Sequence, residues 1–333
     1  MKFISSKNFF PILKERDEPI CGNNEIIIEL SYCGICGSDI GNIFHTSSKP
    51  TKKIGHEISG KISEIGDGIK SLKIGDSVVV NHHCPCKNCH FCNHGNETMC
   101  QKFTEEIEPC GLSQKMVVSE WIIKNNGVIK IPDKISTKDA ILIEPIACCM
   151  RAWKKLITNE NDRILIFGCG PIGIIHSLIA EDRGLNRVMV DIDEHRVNFV
   201  KNEKMADEFL KSKKDLEEFN SKIDLCIIAN PDISCINDSL KVLRRGGKIL
   251  FFGEPYNESR ISLDMSEIYS KEITILTSYS AANEDFQNSI KFFLKYEKKF
   301  SNLISHEFKF VDSVSAINLA KSGNRIKVVV SNS

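Results

Sequence analysis

The chain has 333 residues, enough for one large or two ordinary domains with a sizeable core. Lys+Arg and Asp+Glu each total 44, so no overall basic field points to nucleic acid or an anionic membrane. No apolar run approaches the ~20 residues of a membrane span, and the first residues lack the apolar core of a signal peptide; a soluble cytoplasmic protein is expected.

Residues 1–32 read as short strands. The clearest is Glu25-Ile26-Ile27-Ile28-Glu29-Leu30, β-branched and bounded by Gly22-Asn23-Asn24. Next come Cys33-Gly34-Ile35-Cys36-Gly37-Ser38-Asp39, a loop, and Gly55-His56-Glu57. Cys36 as thiolate and His56 as neutral imidazole are natural zinc ligands. Glu57 is either a third ligand or a group behind the ligands that tunes the metal. A catalytic zinc needs about three protein ligands and an open position. The bland alternative is a buried thiol and a surface turn. Residues 58–80 continue as short strands with Gly-Asp turns, which predicts a small barrel-like β domain rather than a parallel sheet.

The chain has 14 cysteines, and Cys84, Cys86, Cys89, Cys92 and Cys100 cluster. In a cytosolic chain such cysteines read as metal ligands or buried thiols rather than disulfides. Cys86, Cys89, Cys92 and Cys100 give C-x2-C-x2-C-x7-C, four thiolates on tight turns that suit tetrahedral zinc or an iron–sulfur cluster. The ferredoxin ending C-x3-C-P is missing. A closed four-Cys zinc is structural and contributes ~10–16 kcal/mol of apparent binding energy to folding. Cys84 is left as a spare thiol. His82, His83, His90 and His94 read as solvated loop residues, with His82 or His83 as candidates to face a substrate cleft.

Gly111-Leu112-Ser113-Gln114-Lys115-Met116-Val117-Val118, then Trp121-Ile122-Ile123, then Val128-Ile129-Lys130-Ile131 look like strands and end at Pro132. From Ser136 the pattern turns helical and reaches Glu144-Pro145-Ile146-Ala147. A carboxylate among apolar residues is costly to bury unpaired. The ordinary reading is a helix-start acid favoured by the macrodipole.

At Arg163 the texture changes. Arg163-Ile164-Leu165-Ile166-Phe167 is a near-continuous apolar strand of the parallel-sheet kind. It runs into Gly168-Cys169-Gly170-Pro171-Ile172-Gly173, a helix, and a second strand ending at Asp191. That context makes G-x-G-x-x-G a dinucleotide fingerprint. Gly168 makes the turn, Gly170 admits the pyrophosphate, and Gly173 lets the helix pack close. Pro171 and Ile172 open the helix whose N-terminus receives the phosphates. Asp191 accepts the ribose hydroxyls and repels a 2′-phosphate, by roughly 4 kcal/mol at ~4 Å and effective dielectric ~20, which favours NAD. Arg196 either meets a phosphate or lies on a polar helix face. Helix and strand then alternate to 276, with a turn at 244–247. About six strands make a doubly wound sheet.

These motifs, in this order and over nearly the whole chain, resemble the zinc-dependent medium-chain dehydrogenase/reductases, which include alcohol, sorbitol and threonine dehydrogenases. The resemblance implies an α/β chain: a Rossmann coenzyme domain at 147–282, and a β-rich, GroES-like, barrel-like catalytic domain from 1–146 and 283–333 with a four-Cys zinc lobe. It implies one catalytic and one structural zinc, with Cys36 and His56 holding the catalytic ion. Ser38 is the first proton-relay group. Glu144 lies at or beside the catalytic zinc, as in the polyol and threonine branch; the ethanol-type branch has Cys there. The implied reaction is oxidation of a small secondary alcohol, with hydride transfer to NAD and zinc as Lewis acid, in a homo-oligomer (dimer or tetramer). One departure is Gly41, where many relatives place a relay His; His45 or water is the candidate substitute. An L-threonine 3-dehydrogenase and a noncatalytic NAD(H)-binding relative are the competing readings.

Overall fold

The computed structural model describes residues 1–45, 54–105, 111–256 and 258–332. The chain forms two compact units. One comprises Met1–Cys148, Ser280–Ser322 and Lys327–Ser333; the other comprises Cys149–Tyr279 and Gly323–Ile326.

The first unit is built on a seven-stranded sheet. Its path runs Ile304–Lys309, Lys327–Ser331, Ile26–Gly34, Glu57–Ile65, Ser77–Val80, Val128–Lys130, with Lys115–Val118 also paired to Ile26–Gly34. Ile26, Ile27 and Ile28 are fully buried. Ile26 and Ile28 join Leu30, Ile58, Ile62, Val78, Val80, Val328 and Val330 in one core, each side chain contributing about 1.5–3 kcal/mol on burial. Register then places the chemistry. Gly34 lies opposite Glu57 on one side and opposite Val329 on the other, both antiparallel. The last strand of the chain thus lies against the strand that leads into Cys36.

The second unit is a six-stranded parallel sheet in the order Glu208–Leu210, Asn186–Val190, Arg163–Phe167, Ile223–Ile228, Leu243–Phe251, Thr274–Thr277. Its central strands are buried along their length, as the apolar runs require.

Local departures from the sequence reading have local causes. Trp121-Ile122-Ile123 is not a strand but part of the helix Glu120–Lys124; Ser119 caps it by accepting the Ile122 N–H, and the Trp121 indole donates to the Cys84 carbonyl. Residues 244–247 form an excursion inside the strand Leu243–Phe251, since Ile223 pairs with Leu243 but Leu225 with Lys248, and Gly246 takes φ 75°. A helix, Gly37–Phe44, follows Cys36 where a loop was expected. The rest of that loop, 46–53, lies outside the described residues. Among the described residues no helix is long and apolar enough to cross a membrane.

Candidate metal centres and coenzyme loop

Cys36 is the N-cap of the helix Gly37–Phe44, His56 immediately precedes the strand Glu57–Ile65, and Glu57 begins it. One carboxylate ties the two segments together: Asp39 accepts the Cys36 N–H (3.0 Å) and the Gly55 N–H (2.9 Å). Asp39 also faces His56 Nδ1 at 3.6 Å, the kind of contact that orients a ligating imidazole. Burial disfavours the Asp39 charge, yet His56 and the two backbone donors hold its carboxyl below the usual range. Gly55 has φ 87°, and a Cβ there would lie 2.6 Å from the Leu112 backbone nitrogen and 2.8 Å from Cys33 Sγ, so only glycine makes this turn. The outcome is that ligand atoms of Cys36, His56 and Glu57 all fall within 4.8 Å of one another. Thiolate, imidazole and carboxylate at that spacing fit a zinc ion with an open position.

Glu57 is 1% exposed and does not stand alone. Lys327 Nζ meets its Oε2 as an ion pair and donates to the Ile35 carbonyl (3.2 Å). Burial opposes the Lys327 charge, but Glu57 overrides it and holds the ammonium above its ordinary range. Gly34 leaves the room: a Cβ there would lie 2.1 Å from Glu57 Oε2. Asp39 and Lys327 are the functional residues that motif reading passed over. The available signal was a lysine heading the apolar run Val328-Val329-Val330, all of which the structure buries.

Glu144 sits in the first turn of the helix Ile143–Lys154, buried, and accepts from the Cys148 thiol one turn later (3.2 Å). Burial, reinforced by Glu57, pushes its carboxyl up, while His56, Cys148 and Lys327 pull the other way. Glu144 therefore shares the electrostatic neighbourhood of Cys36, His56 and Glu57 without joining their close ligand group. Ser38 is half-buried on the helix after Cys36; Gly41 lies on the same helix, and His45 is exposed at its C-cap. His82 and His83, expected in solvent, are buried. His90 and His94 are exposed.

The second cluster is Cys86, Cys89, Cys92 and Cys100, again with all four sulfurs within 4.8 Å of one another. Sγ–Sγ separations are 3.5 Å for Cys89–Cys92 and 4.0 Å for Cys86–Cys92. A tetrahedron with ~2.3 Å Zn–S bonds has edges of about 3.8 Å, so the cluster fits the ion without rearrangement. The Asn88 backbone N–H, with further donors, brings Cys86 down to about 7, whereas burial first pushes Cys92 up to about 12. Cys84 stays apart, bonded to Asn81 and Asn283, and burial raises it to about 12, which makes it unreactive.

In the second unit Gly168 has φ 117°, and a Cβ on Gly173 would lie 1.9 Å from the Gly168 carbonyl. At Gly170 a Cβ would meet only Arg196 Nη1, at 3.8 Å, so the loop keeps an open cradle at the N-terminus of the helix Pro171–Asp182. Asp191 accepts the Cys169 N–H (2.7 Å) and the Asp193 N–H (2.9 Å), with Arg196 Nη1 4.0 Å away. Phosphate cradle and carboxylate thus fit the two ends of an adenosine diphosphate.

Two family profiles match in chain order: the alcohol dehydrogenase GroES-like domain over residues 22–133 and the zinc-binding dehydrogenase over 171–295. D-xylulose reductase A of Aspergillus niger is 25% identical over 337 residues, covering 96% of this chain and 93% of that protein. Sorbitol dehydrogenase of Halalkalibacterium halodurans is 24% identical over 329 residues, covering 96% and 94%. The crystal structure of galactitol-1-phosphate dehydrogenase from Escherichia coli superposes with a TM-score of 0.84 at 21% identity, over 99% of both chains.

Proposed function

The chain belongs to the zinc-dependent medium-chain dehydrogenase family, and on that premise we propose that it is an NAD-dependent enzyme oxidising a secondary alcohol of a polyol, sugar alcohol or sugar-phosphate-like substrate to a ketone. The observation that carries this reading is the gathering of Cys36, His56 and Glu57 ligand atoms within 4.8 Å, with Glu144 beside them. The polyol class is supported by the glutamate at 144 and by the printed activities of the relatives, a xylulose reductase, a sorbitol dehydrogenase and a galactitol-1-phosphate dehydrogenase.

Cys36 and His56 hold the catalytic zinc, with Glu57 or Glu144 completing the set; the ion, when bound, supplies Lewis acidity that lowers the pKa of an alcohol toward neutrality. The chain's own residues do the rest. Asp39 fixes the His56 ring, and Lys327 fixes the Glu57 carboxylate. Ser38 takes the substrate hydroxyl proton and passes it outward. Cys86, Cys89, Cys92 and Cys100 hold the structural zinc. In the coenzyme unit Gly168, Gly170, Pro171, Ile172 and Gly173 cradle the pyrophosphate, Asp191 binds the adenosine ribose, and Arg196 lies beside it; NAD supplies the hydride acceptor. A reducing compartment such as the cytoplasm suits the thiols these sites need. A homo-oligomer is supported by the edge strand Thr274–Thr277, which exposes Ile275, and by exposed Met265 and Tyr269 on the preceding helix; light scattering that finds only monomer would contradict it.

The test is NADH formation by zinc-loaded protein with polyols, phosphorylated polyols, L-threonine and simple alcohols, repeated with NADP. Turnover is expected on a polyol with NAD, and its loss together with one zinc per chain in Cys36→Ala. Preference for L-threonine, or turnover and zinc content unchanged in Cys36→Ala, would overturn the assignment.

A further inference from the structure

His82 is the buried polar residue beside the ligand set that nothing above employs. Its neighbours hold it still. The Asn81 side chain donates to Asn283 Oδ1 (2.6 Å) and accepts the His83 N–H (3.2 Å). The His83 ring pairs through Nδ1 with the Phe103 carbonyl (2.7 Å) and stacks on the Phe103 ring at 4.4 Å. Between these anchors the His82 ring is packed 4.2 Å from the His83 ring and 5.2 Å from the ring of His56. The residue is 8% exposed, and its Nδ1 is buried with no hydrogen-bond partner among the described residues. A phenyl ring would fill the same space without leaving a polar atom bare, so the nitrogen calls for a partner that the described residues do not supply. His82 is not that partner's metal ligand: the close ligand group is Cys36, His56 and Glu57.

We infer that His82 reads the substrate, offering a hydrogen bond to the hydroxyl on the carbon next to the one oxidised, so that the site selects vicinal diols and polyols over monohydric alcohols. The inference rests on the dehydrogenase reading. It follows from adjacency: an alcohol presented to the His56 ligand set carries its neighbouring hydroxyl one hydrogen-bond length from the first oxygen, toward a ring packed against His56. Either tautomer of a neutral imidazole serves, because a hydroxyl both donates and accepts.

The decisive pair of substrates is 2,3-butanediol and 2-butanol, which differ by that one hydroxyl. The ratio of their kcat/KM values is expected to fall at least about tenfold in His82→Phe relative to the wild type, and His82→Asn, which restores a polar group, is expected to recover part of it. Independently of turnover, xylitol is expected to raise the melting temperature of the zinc-loaded, NAD-bound wild type and not that of His82→Phe. A diol-to-alcohol ratio within about twofold of wild type in both variants, with zinc content intact, would overturn the inference while leaving the dehydrogenase reading standing. A wild type that oxidises no alcohol would end the dehydrogenase reading. The xylitol shift would then decide His82 alone: equal shifts in wild type and variant refute it.

Discussion

Replacing Lys327 by Met removes one charge from a pair in which the Lys and Glu side chains are 5% and 1% exposed. At that burial solvent does not screen the interaction. Two unit charges at ~3 Å and effective dielectric ~20 attract by about 5 kcal/mol, which is a ceiling. Breaking a buried pair from one side costs ~3–5 kcal/mol, because the surviving charge is left without compensation. Here that charge is Glu57, and the Ile35 carbonyl also loses its donor. In a unit of this size ~3–5 kcal/mol corresponds to a melting-temperature drop of about 10 °C. The assay is scanning calorimetry of wild type, Lys327→Met, Glu57→Gln and the double variant, all purified with zinc. Both single variants are expected to melt early, and the double variant to regain at least half of the loss, since it buries no unpaired charge. Single variants that each cost under ~1 kcal/mol, or a double variant whose loss equals the sum of the singles, would refute the claim that the two groups neutralise each other.

Gly34→Ala places a methyl group 2.1 Å from Glu57 Oε2 and 3.0 Å from Lys327 Cε, so the carboxylate must swing away or the strand pair must shift. Zinc analysis is expected to show one ion lost per chain, with the four-Cys ion retained and activity down about 10–100-fold; wild-type zinc and turnover would contradict it. His176, wholly buried on the helix Pro171–Asp182, accepts from the Trp153 indole (2.9 Å), and burial lowers its imidazole from 6.5 to about 3. The unfolded chain therefore binds the proton first: stability is complete above pH 6.5 and falls by ~1.4 kcal/mol per unit as pH drops toward 3. His176→Gln keeps an acceptor for Trp153 and removes the titration. Relative to its own value at pH 7.5, the variant is expected to lose ~2 kcal/mol less than wild type by pH 5 in urea unfolding, and a pH-independent difference between the two would sink the account.

Much of this molecule was legible along the chain because its determinants are local. The run Arg163–Phe167 could only be a strand buried on both faces, and the glycines at 168, 170 and 173 announce a turn, an open cradle and a close helix contact, each of which needs a missing side chain. Four cysteines at tight spacing suit a closed metal lobe, and the structure brings their sulfurs within 4.8 Å of one another. Where local signals compete, reading along the chain fails. Trp121-Ile122-Ile123 has strand propensity, but the Ser119 cap and a tertiary partner for the indole make it helix.

Sequence by itself pointed to the two unit types and the coenzyme fingerprint, since periodicity and spacing encode them directly, while the Cys36 and His56 motifs drew their reading from the resemblance to the dehydrogenase family. Only the tertiary structure decided that Lys327, at the far end of the chain, neutralises Glu57, that Asp39 joins the two ligand segments, and that His82 lies buried against His56. Those relations depend on strand register, in which Gly34 faces Glu57 on one side and Val329 on the other. Register is set by which apolar faces must be buried together, a property of the whole sheet that no single stretch of sequence carries.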